Sequence, residues 1–121
     1  MRGARRAVVI AVGLLGGLLV GWLALRHAAA VTVTVKNESA KPIASARLEH
    51  RLGLVLVENV APGEARTIRF AAGGETSYAL RVRFADGSVV GNRPQYAESG
   101  YSFVETVTEA GIKTDLHLPR Y

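Results

Sequence analysis

Three histidines are the residues of this sequence best suited to acid–base or metal chemistry, and their spacing supports neither. They stand at His27, His50 and His117, with no H-x-H or H-E-x-x-H pair. A zinc site or an acid–base pair needs two or three such groups held close together. The serines lie outside any G-x-S-x-G context, and no glycine-rich segment matches a phosphate-binding loop. We therefore expect no catalytic residue, no cofactor, no metal ligand and no enzymatic activity.

The chain has no cysteine, so carboxylates are the next side chains to consider for chemistry. The absence of cysteine excludes disulfides, thiolate nucleophiles and zinc–thiolate sites. Glu105 alternates in step with Phe103 and Val107. If that parity faces the core, Glu105 is a buried carboxylate that needs a partner, and if it faces solvent it has no special role. Val104 can mark the core face instead, which favours the solvent-facing placement.

Arginines form the first candidate contact surface. Arg69, Arg81 and Arg83 share the outward parity of two predicted strands. If those strands are neighbours, the three guanidinium groups form an anion-binding patch for lipid headgroups or an acidic partner. Pairing with acids such as Glu49 is the more ordinary outcome on a solvated sheet face.

An apolar strand forms the second candidate surface. Residues 54–57 read Leu-Val-Leu-Val, so that both faces of the strand are hydrophobic. Since only one face of a sandwich strand meets the core, we expect Leu54 and Leu56 to point inward. Val55 and Val57 would then lie under a loop or form a surface for binding a protein.

The element that sets the location of the protein is an apolar run at the N-terminus. Arg2, Arg5 and Arg6 precede nineteen uncharged residues, 7–25, and Arg26 follows them. As a helix this run spans about 28 Å, close to the ~30 Å hydrocarbon core of a bilayer. The arginine asymmetry retains the N-terminus in the cytoplasm. The predicted organisation is a cytoplasmic stub (1–6), a transmembrane signal anchor (7–25), a spacer (26–30) and an outer domain (31–121).

A cleaved signal peptide is the competing interpretation, because residues 28–30 are three alanines of the kind that signal peptidase accepts. The run is longer than the roughly 7–15 residues of a signal h-region, and Arg26 and His27 intervene, which favours the anchor.

Glycines recur every four residues within the predicted anchor. Gly13, Gly17 and Gly21 would share one helix face, where two backbones can approach closely. This doubled G-x-x-x-G pattern predicts a homodimer through the membrane helix, although a glycine-rich chain also produces it by chance.

The net charge of +5 is not that of a nucleic-acid binder. Four of the fifteen basic residues flank the apolar run, which leaves eleven against ten acidic residues elsewhere. We therefore expect no nucleic-acid partner.

Twelve arginines against three lysines, with many Ala, Gly and Val residues, are typical of a GC-rich genome and favour a bacterial source. The predicted location is the bacterial inner membrane, with the outer domain periplasmic or extracellular.

After residue 30 the hydrophobic pattern alternates with period two, which is typical of half-buried strands. Asp86-Gly87 supplies two residues that tolerate positive φ in a type I′ hairpin turn. The fold class predicted is all-β, a single antiparallel immunoglobulin-like β-sandwich of seven or eight strands preceded by one transmembrane helix. The predicted strands are Val31–Lys36, Ile43–His50, Leu54–Glu58, Thr67–Phe70, Tyr78–Phe84, Ser88–Val90, Tyr101–Thr108 and Ile112–Leu118.

The order of these segments resembles a known class of module. Residues 33–39, the Ala-Pro-Gly-Glu turn at 61–64 leading into 66–70, and the strand at 78–82 are similar to the small immunoglobulin-like adhesion or accessory domains of bacterial envelope proteins, such as CARDB-type modules. The resemblance covers residues 31–118. It implies binding or scaffolding in the cell envelope, and it carries no catalytic residue across.

The function expected is therefore that of a membrane-anchored envelope protein whose outer domain binds another envelope protein, as an accessory, assembly or inhibitor/immunity-type factor. The alternatives are a soluble periplasmic or secreted binding protein released after Ala30 and a small ligand-binding or enzymatic domain.

Overall fold

The structure is a computed structural model that describes residues 30–119, and these residues form nine β-strands in two sheets. This part of the chain contains no helix able to span a bilayer. The predicted anchor, with Gly13, Gly17 and Gly21, lies outside the described residues. The strands are β1 (Ala30–Asn37), β2 (Ile43–His50), β3 (Gly53–Val60), β4 (Ala65–Ala71), β5 (Glu75–Phe84), β6 (Val89–Gly91), β7 (Gln95–Glu98), β8 (Ser102–Thr108) and β9 (Gly111–His117).

The strands divide into a four-stranded and a five-stranded sheet. The four-stranded sheet has the order β4-β1-β8-β9, and the five-stranded sheet has the order β3-β2-β5-β6, with β7 paired to another part of β5. The all-β prediction is confirmed. The prediction of a wholly antiparallel fold is wrong, because β1 and β8 run parallel while the other pairs are antiparallel.

Eight of the nine observed strands were predicted from the sequence, and the one that was not is β7. It has only four residues and buries only Ala97, so it lacks the apolar alternation that signals a strand. Its partners are the first residues of β5, with Tyr78 opposite Gln95.

The core lies between the sheets and is built by the alternation that the sequence shows. In β1, Val31, Val33 and Val35 are fully buried, while the threonines between them face outward. The rings of Tyr78 on β5 and Phe103 on β8 meet edge to face across the layers, with centroids 5.0 Å apart. Such aromatic pairs add about 0.5–1.5 kcal/mol beyond the area that they bury.

Strand β3 faces the core with the side chains that were expected to face out. Val55 and Val57 pack against the core, whereas Leu54 and Leu56 are 50% and 52% exposed. The two-residue turn that pairs His50 with Gly53 sets this register. An apolar run with no polar alternation carries no information about its parity, so only the turn decides which residues point inward.

The hairpin between β5 and β6 also differs from the expected type. Gly87 has φ of +87°, but Asp86 keeps a negative φ, so the turn is not type I′. The Gly87 amide donates to the Phe84 carbonyl and the Phe84 amide donates to the Ser88 carbonyl. The connection is therefore a three-residue loop, a tight turn followed by one glycine in the left-handed region.

Candidate functional site

Three arginines meet on the outer surface of the five-stranded sheet. Arg47 on β2 lies directly opposite Arg81 on β5, and Arg83 follows two residues later on the same face. Cross-strand neighbours of this kind have Cβ atoms about 4.5–5.5 Å apart. We call this surface, made of Arg47, Arg81, Arg83, Leu54, Leu56 and Val89, the arginine face.

Ion pairing neutralises only part of this charge. Arg47 Nε contacts Glu49 Oε1 at 2.9 Å. Among the described residues, neither Arg81 nor Arg83 has a salt bridge. Because like charges directly opposite on a sheet repel, the pair formed by Arg47 and Arg81 is a site at which an anionic group would be stabilised.

Hydrophobic side chains lie beside the arginines. Leu56 is the cross-strand neighbour of Arg47, and Val89 is the neighbour of Arg83. Leu56 is 52% exposed and Val89 is 42% exposed. The arginines, Leu56 and Val89, with Ser45, line an open depression of about 440 Å³. Arginine is enriched among the residues that carry binding energy in protein interfaces, and the aliphatic side chains beside these arginines add apolar surface that a partner could bury.

Arg69 does not belong to this surface. It lies on β4 in the four-stranded sheet, opposite Thr32, and is exposed on the outer surface of that sheet. This surface is on the opposite side of the molecule from the arginine face. The three predicted arginines therefore do not form one patch, because β4 and β5 are consecutive in the chain but lie in different sheets. Arg47 takes the place that was expected for Arg69. Its outward parity on β2 was visible in the sequence, but the pairing of β2 with β5 was not.

A second cluster of polar side chains lies in the interior, around Glu105. Contrary to expectation, this carboxylate is fully buried. The Tyr78 hydroxyl donates to its Oε1 at 2.5 Å, Asn92 Nδ2 donates to the same oxygen at 2.9 Å, and the Thr114 hydroxyl donates to Oε2 at 2.7 Å. No buried side-chain polar atom of the described residues lacks a partner.

The chemistry of this cluster is that of a structural network. Burial, reinforced by the hydrogen bond to Glu105, raises the pKa of Tyr78 well above the usual tyrosine range. The hydroxyl therefore stays protonated and keeps donating. The network joins β5 of one sheet to β8 and β9 of the other, and Asn92 extends it because its Oδ1 accepts from the Leu80 amide at 2.7 Å.

The described histidines do not meet. His50 stacks on Phe70 with ring centroids 4.4 Å apart, and burial lowers its pKa. His117 lies opposite Ser102 in the other sheet. Within residues 30–119 no group of three or more acids or histidines is arranged to hold a metal ion. His27 lies outside the described residues.

Comparison with known proteins informs the fold alone. No protein-family model matches this chain, and no curated protein does. Among solved structures, a protein from Eubacterium rectale determined by NMR has a TM-score of 0.57 at 7% identity, over 76% of this chain and 92% of that one. The human-specific toxin intermedilysin has a TM-score of 0.42 at 10% identity, over 75% of this chain and 24% of the toxin.

Proposed function

We propose that this chain is a membrane-anchored protein of the bacterial cell envelope whose outer domain binds another envelope protein through the arginine face. The observation that carries the proposal is the combination of charge and apolar surface on one sheet. Arg81 and Arg83 have no salt bridge within residues 30–119, and the exposed side chains of Leu56 and Val89 line the same depression. Burying those two side chains would gain roughly 25 cal/mol for each Å² of apolar surface removed from water.

The partner that fits this surface is an acidic segment with an apolar contact of its own. Carboxylates would pair with Arg81 and Arg83 and relieve the repulsion between Arg47 and Arg81, while an apolar side chain covers Leu56. This surface replaces the one expected at Val55 and Val57, since both valines pack against the core.

The finer features of the prediction belong to the same proposal. These are the immunoglobulin-like assignment, the similarity to CARDB-type modules, the signal anchor at 7–25 and its self-association through Gly13, Gly17 and Gly21. The two-sheet architecture supports the first, and the sequence segments at 33–39, 61–70 and 78–82 are the basis of the second. The charge, length and glycine spacing of the N-terminal run support the others. Release after Ala30 would leave the same binding domain soluble, and N-terminal sequencing of the mature protein distinguishes the two forms.

Site-specific crosslinking tests the binding surface. A photoreactive amino acid at position 56 should give one covalent adduct in cells, and the adduct should fall at least about tenfold in the Arg81→Glu/Arg83→Glu variant, which corresponds to about 1.4 kcal/mol of binding free energy. Raising the salt from about 0.1 M to about 1 M should also weaken capture, because it shortens the range of the electrostatic attraction.

Arg69→Glu is the matched control, because Arg69 is an equally solvent-exposed arginine on the outer surface of the opposite sheet. It should leave the adduct unchanged. An adduct that survives charge reversal at positions 81 and 83, or that Arg69→Glu removes equally, would overturn the assignment of the arginine face. Thermal unfolding of each variant checks that the domain remains folded.

A further inference from the structure

The loops of the domain collect at two opposite ends of the strands. The end at which β1 begins, which we call the entry pole, consists of Ala30 and residues 51–52, 72–74, 99–101 and 118–119. The other end, the far pole, consists of residues 38–42, 61–64, 85–88 and 109–110. The strand partners of β1 and β2 assign these loops to their poles, whereas the β6–β7 connection, residues 92–94, lies beside the middle of β5 and belongs to neither pole.

Apolar side chains distinguish the two poles. Leu52 and Leu118, at the entry pole, are 64% and 60% exposed, the largest values among the large hydrophobic residues of the described part of the chain. Leu52 lies at the tip of the β2–β3 turn, and Leu118 follows the last residue of β9. The far-pole loops contain no leucine, isoleucine, valine, methionine or aromatic residue.

The two poles also differ in charge: the entry-pole loops carry little charge, and the far-pole loops are acidic. The entry-pole loops contain one charged residue, Arg51. The far-pole loops contain four carboxylates against one ammonium group, a net charge of −3: Glu38, Glu64, Asp86 and Glu109 against Lys41. On the neighbouring strands, Glu75 and Glu98 lie beside the entry pole on the outer face of the five-stranded sheet, and Arg66 pairs with Glu64 at the far pole.

The chain between the predicted anchor and β1 is short. Five residues, 26–30, can extend at most about 17 Å, and if residues 7–25 span the bilayer, about 6 Å of that length would cross the headgroup layer. The eight residues of β1 are about 26 Å long at ~3.3 Å each. The far pole therefore cannot face the membrane end-on, because the entry pole would then lie about 26 Å above the surface, beyond the reach of residues 26–30. The domain must approach the surface with its entry pole or with a flank.

We propose that the entry pole rests on the membrane, with the side chains of Leu52 and Leu118 inserted at the boundary between headgroups and acyl chains. This inference depends on the anchoring of residues 7–25 that the proposed function includes. An interfacial contact of this kind combines apolar side chains, which leave water, with a basic residue such as Arg51, which binds anionic headgroups. The strands then stand along the membrane normal, and the arginine face points sideways, where a neighbouring envelope protein can reach it.

Single-cysteine labelling tests this orientation cleanly, because the chain has no cysteine of its own. The full chain would be reconstituted into vesicles of phosphatidylethanolamine and phosphatidylglycerol and labelled with an environment-sensitive fluorophore at Leu52→Cys. The emission should shift to the blue, and nitroxide-labelled lipids should quench it by about half. Ala61→Cys, exposed at the far pole, is the matched control and should show neither change. Thr67→Cys and Leu56→Cys report on the two flanks.

The outcomes separate this inference from the anchoring on which it depends. If the protein is washed from the vesicles, both the anchor and the entry-pole contact are overturned. If the protein stays with the vesicles but the label at position 52 is quenched no more than the label at position 61, or less than a flank label, only the entry-pole contact is overturned. Stronger quenching at position 52 than at positions 56, 61 and 67 supports it.

Discussion

At the scale of single residues, the packing between the two sheets includes one buried carboxylate that accepts hydrogen bonds from three different segments of the chain. Glu105 receives hydrogen bonds from Tyr78, Asn92 and Thr114. Removing one partner from a buried polar network leaves the other groups unsatisfied, which costs more than the hydrogen bond itself. Loss of any one of these donors should therefore destabilise the packing of the two sheets around Glu105.

Alkaline unfolding should reveal this network. The pKa of Tyr78 is raised by burial and by Glu105, so the folded protein holds a proton that the unfolded chain releases above pH ~10. The stabilisation is complete below that pH and is lost as the pH rises, by about 1.4 kcal/mol for each further pH unit. Tyr78→Phe should make this slope shallower in the urea unfolding free energy measured between pH 9 and pH 12, while lowering stability at neutral pH by about 1–3 kcal/mol. A smaller slope should remain in the variant, because hydrogen bonds to Glu98 and Asp86 also raise the pKa values of Tyr96 and Lys41.

Tyrosinate absorbance supplies the control for that experiment. Tyr78 should resist ionisation until the domain unfolds, so Tyr78→Phe should show one resistant tyrosine fewer than the wild-type protein. The hydrogen bond to Glu98 also raises the pKa of Tyr96, so the difference between the two spectra, rather than either spectrum alone, reports on Tyr78. Equal slopes for the two proteins above pH 10 would contradict the assignment.

The residue-scale predictions failed where two parities were equally plausible. Phe103 and Val107 share the parity of Glu105, and this parity does face the core, but a charged residue in the series argued against it. The identity of the three donors could not be foreseen, because Tyr78 and Asn92 belong to the opposite sheet and its connections. Such a group is recognised only when strand pairing is known.

At the scale of elements, alternation was sufficient to locate eight of the nine strands within a few residues. Alternation did not show how the strands pair or, for β3, which side chains point inward. Strand β3 inverts because its apolar run has no polar residue to distinguish its faces, and β7 was missed because its four residues bury only one side chain. In β3 the preceding turn decides which side chains point inward, and in β7 the pairing with β5 forms the strand, so neither feature follows from alternation within the segment itself.

The β5–β6 hairpin allows a test at this scale. Gly87 has φ of +87°, and a Cβ atom added there would meet nothing within 4 Å, so a substitution is opposed by backbone strain alone. Gly87→Val should lower the unfolding free energy by about 1–3 kcal/mol. Gly87→Asn should lower it less, because asparagine tolerates the left-handed region. Equal urea midpoints for the two variants would show that positive φ at this position is not what holds the turn.

At the scale of the whole molecule, the parallel pairing of β1 with β8 is the feature that no local pattern indicates. Residues 32–37 pair with 102–107, so the first strand binds a segment seventy residues later. This pairing brings the start of β1 and the end of β9 to the same pole, two strands apart, or roughly 10 Å. Both ends of the described chain, Ala30 and Pro119, therefore lie at the entry pole.

The predicted orientation of the chain in the membrane depends on the charges that flank the apolar run at residues 7–25. Because Arg2, Arg5 and Arg6 precede the apolar run and only Arg26 closely follows it, a reporter fused after Tyr121 and active only outside the cytoplasm should be active. A flexible linker is needed, since Pro119 lies at the entry pole. Replacing the three leading arginines by serine leaves Arg26 as the dominant flanking charge and should reduce the reporter activity, whereas Arg26→Ser should preserve it. A reporter that is active only inside the cytoplasm in the unmodified chain would reverse the predicted topology and, with it, the membrane contact of Leu52.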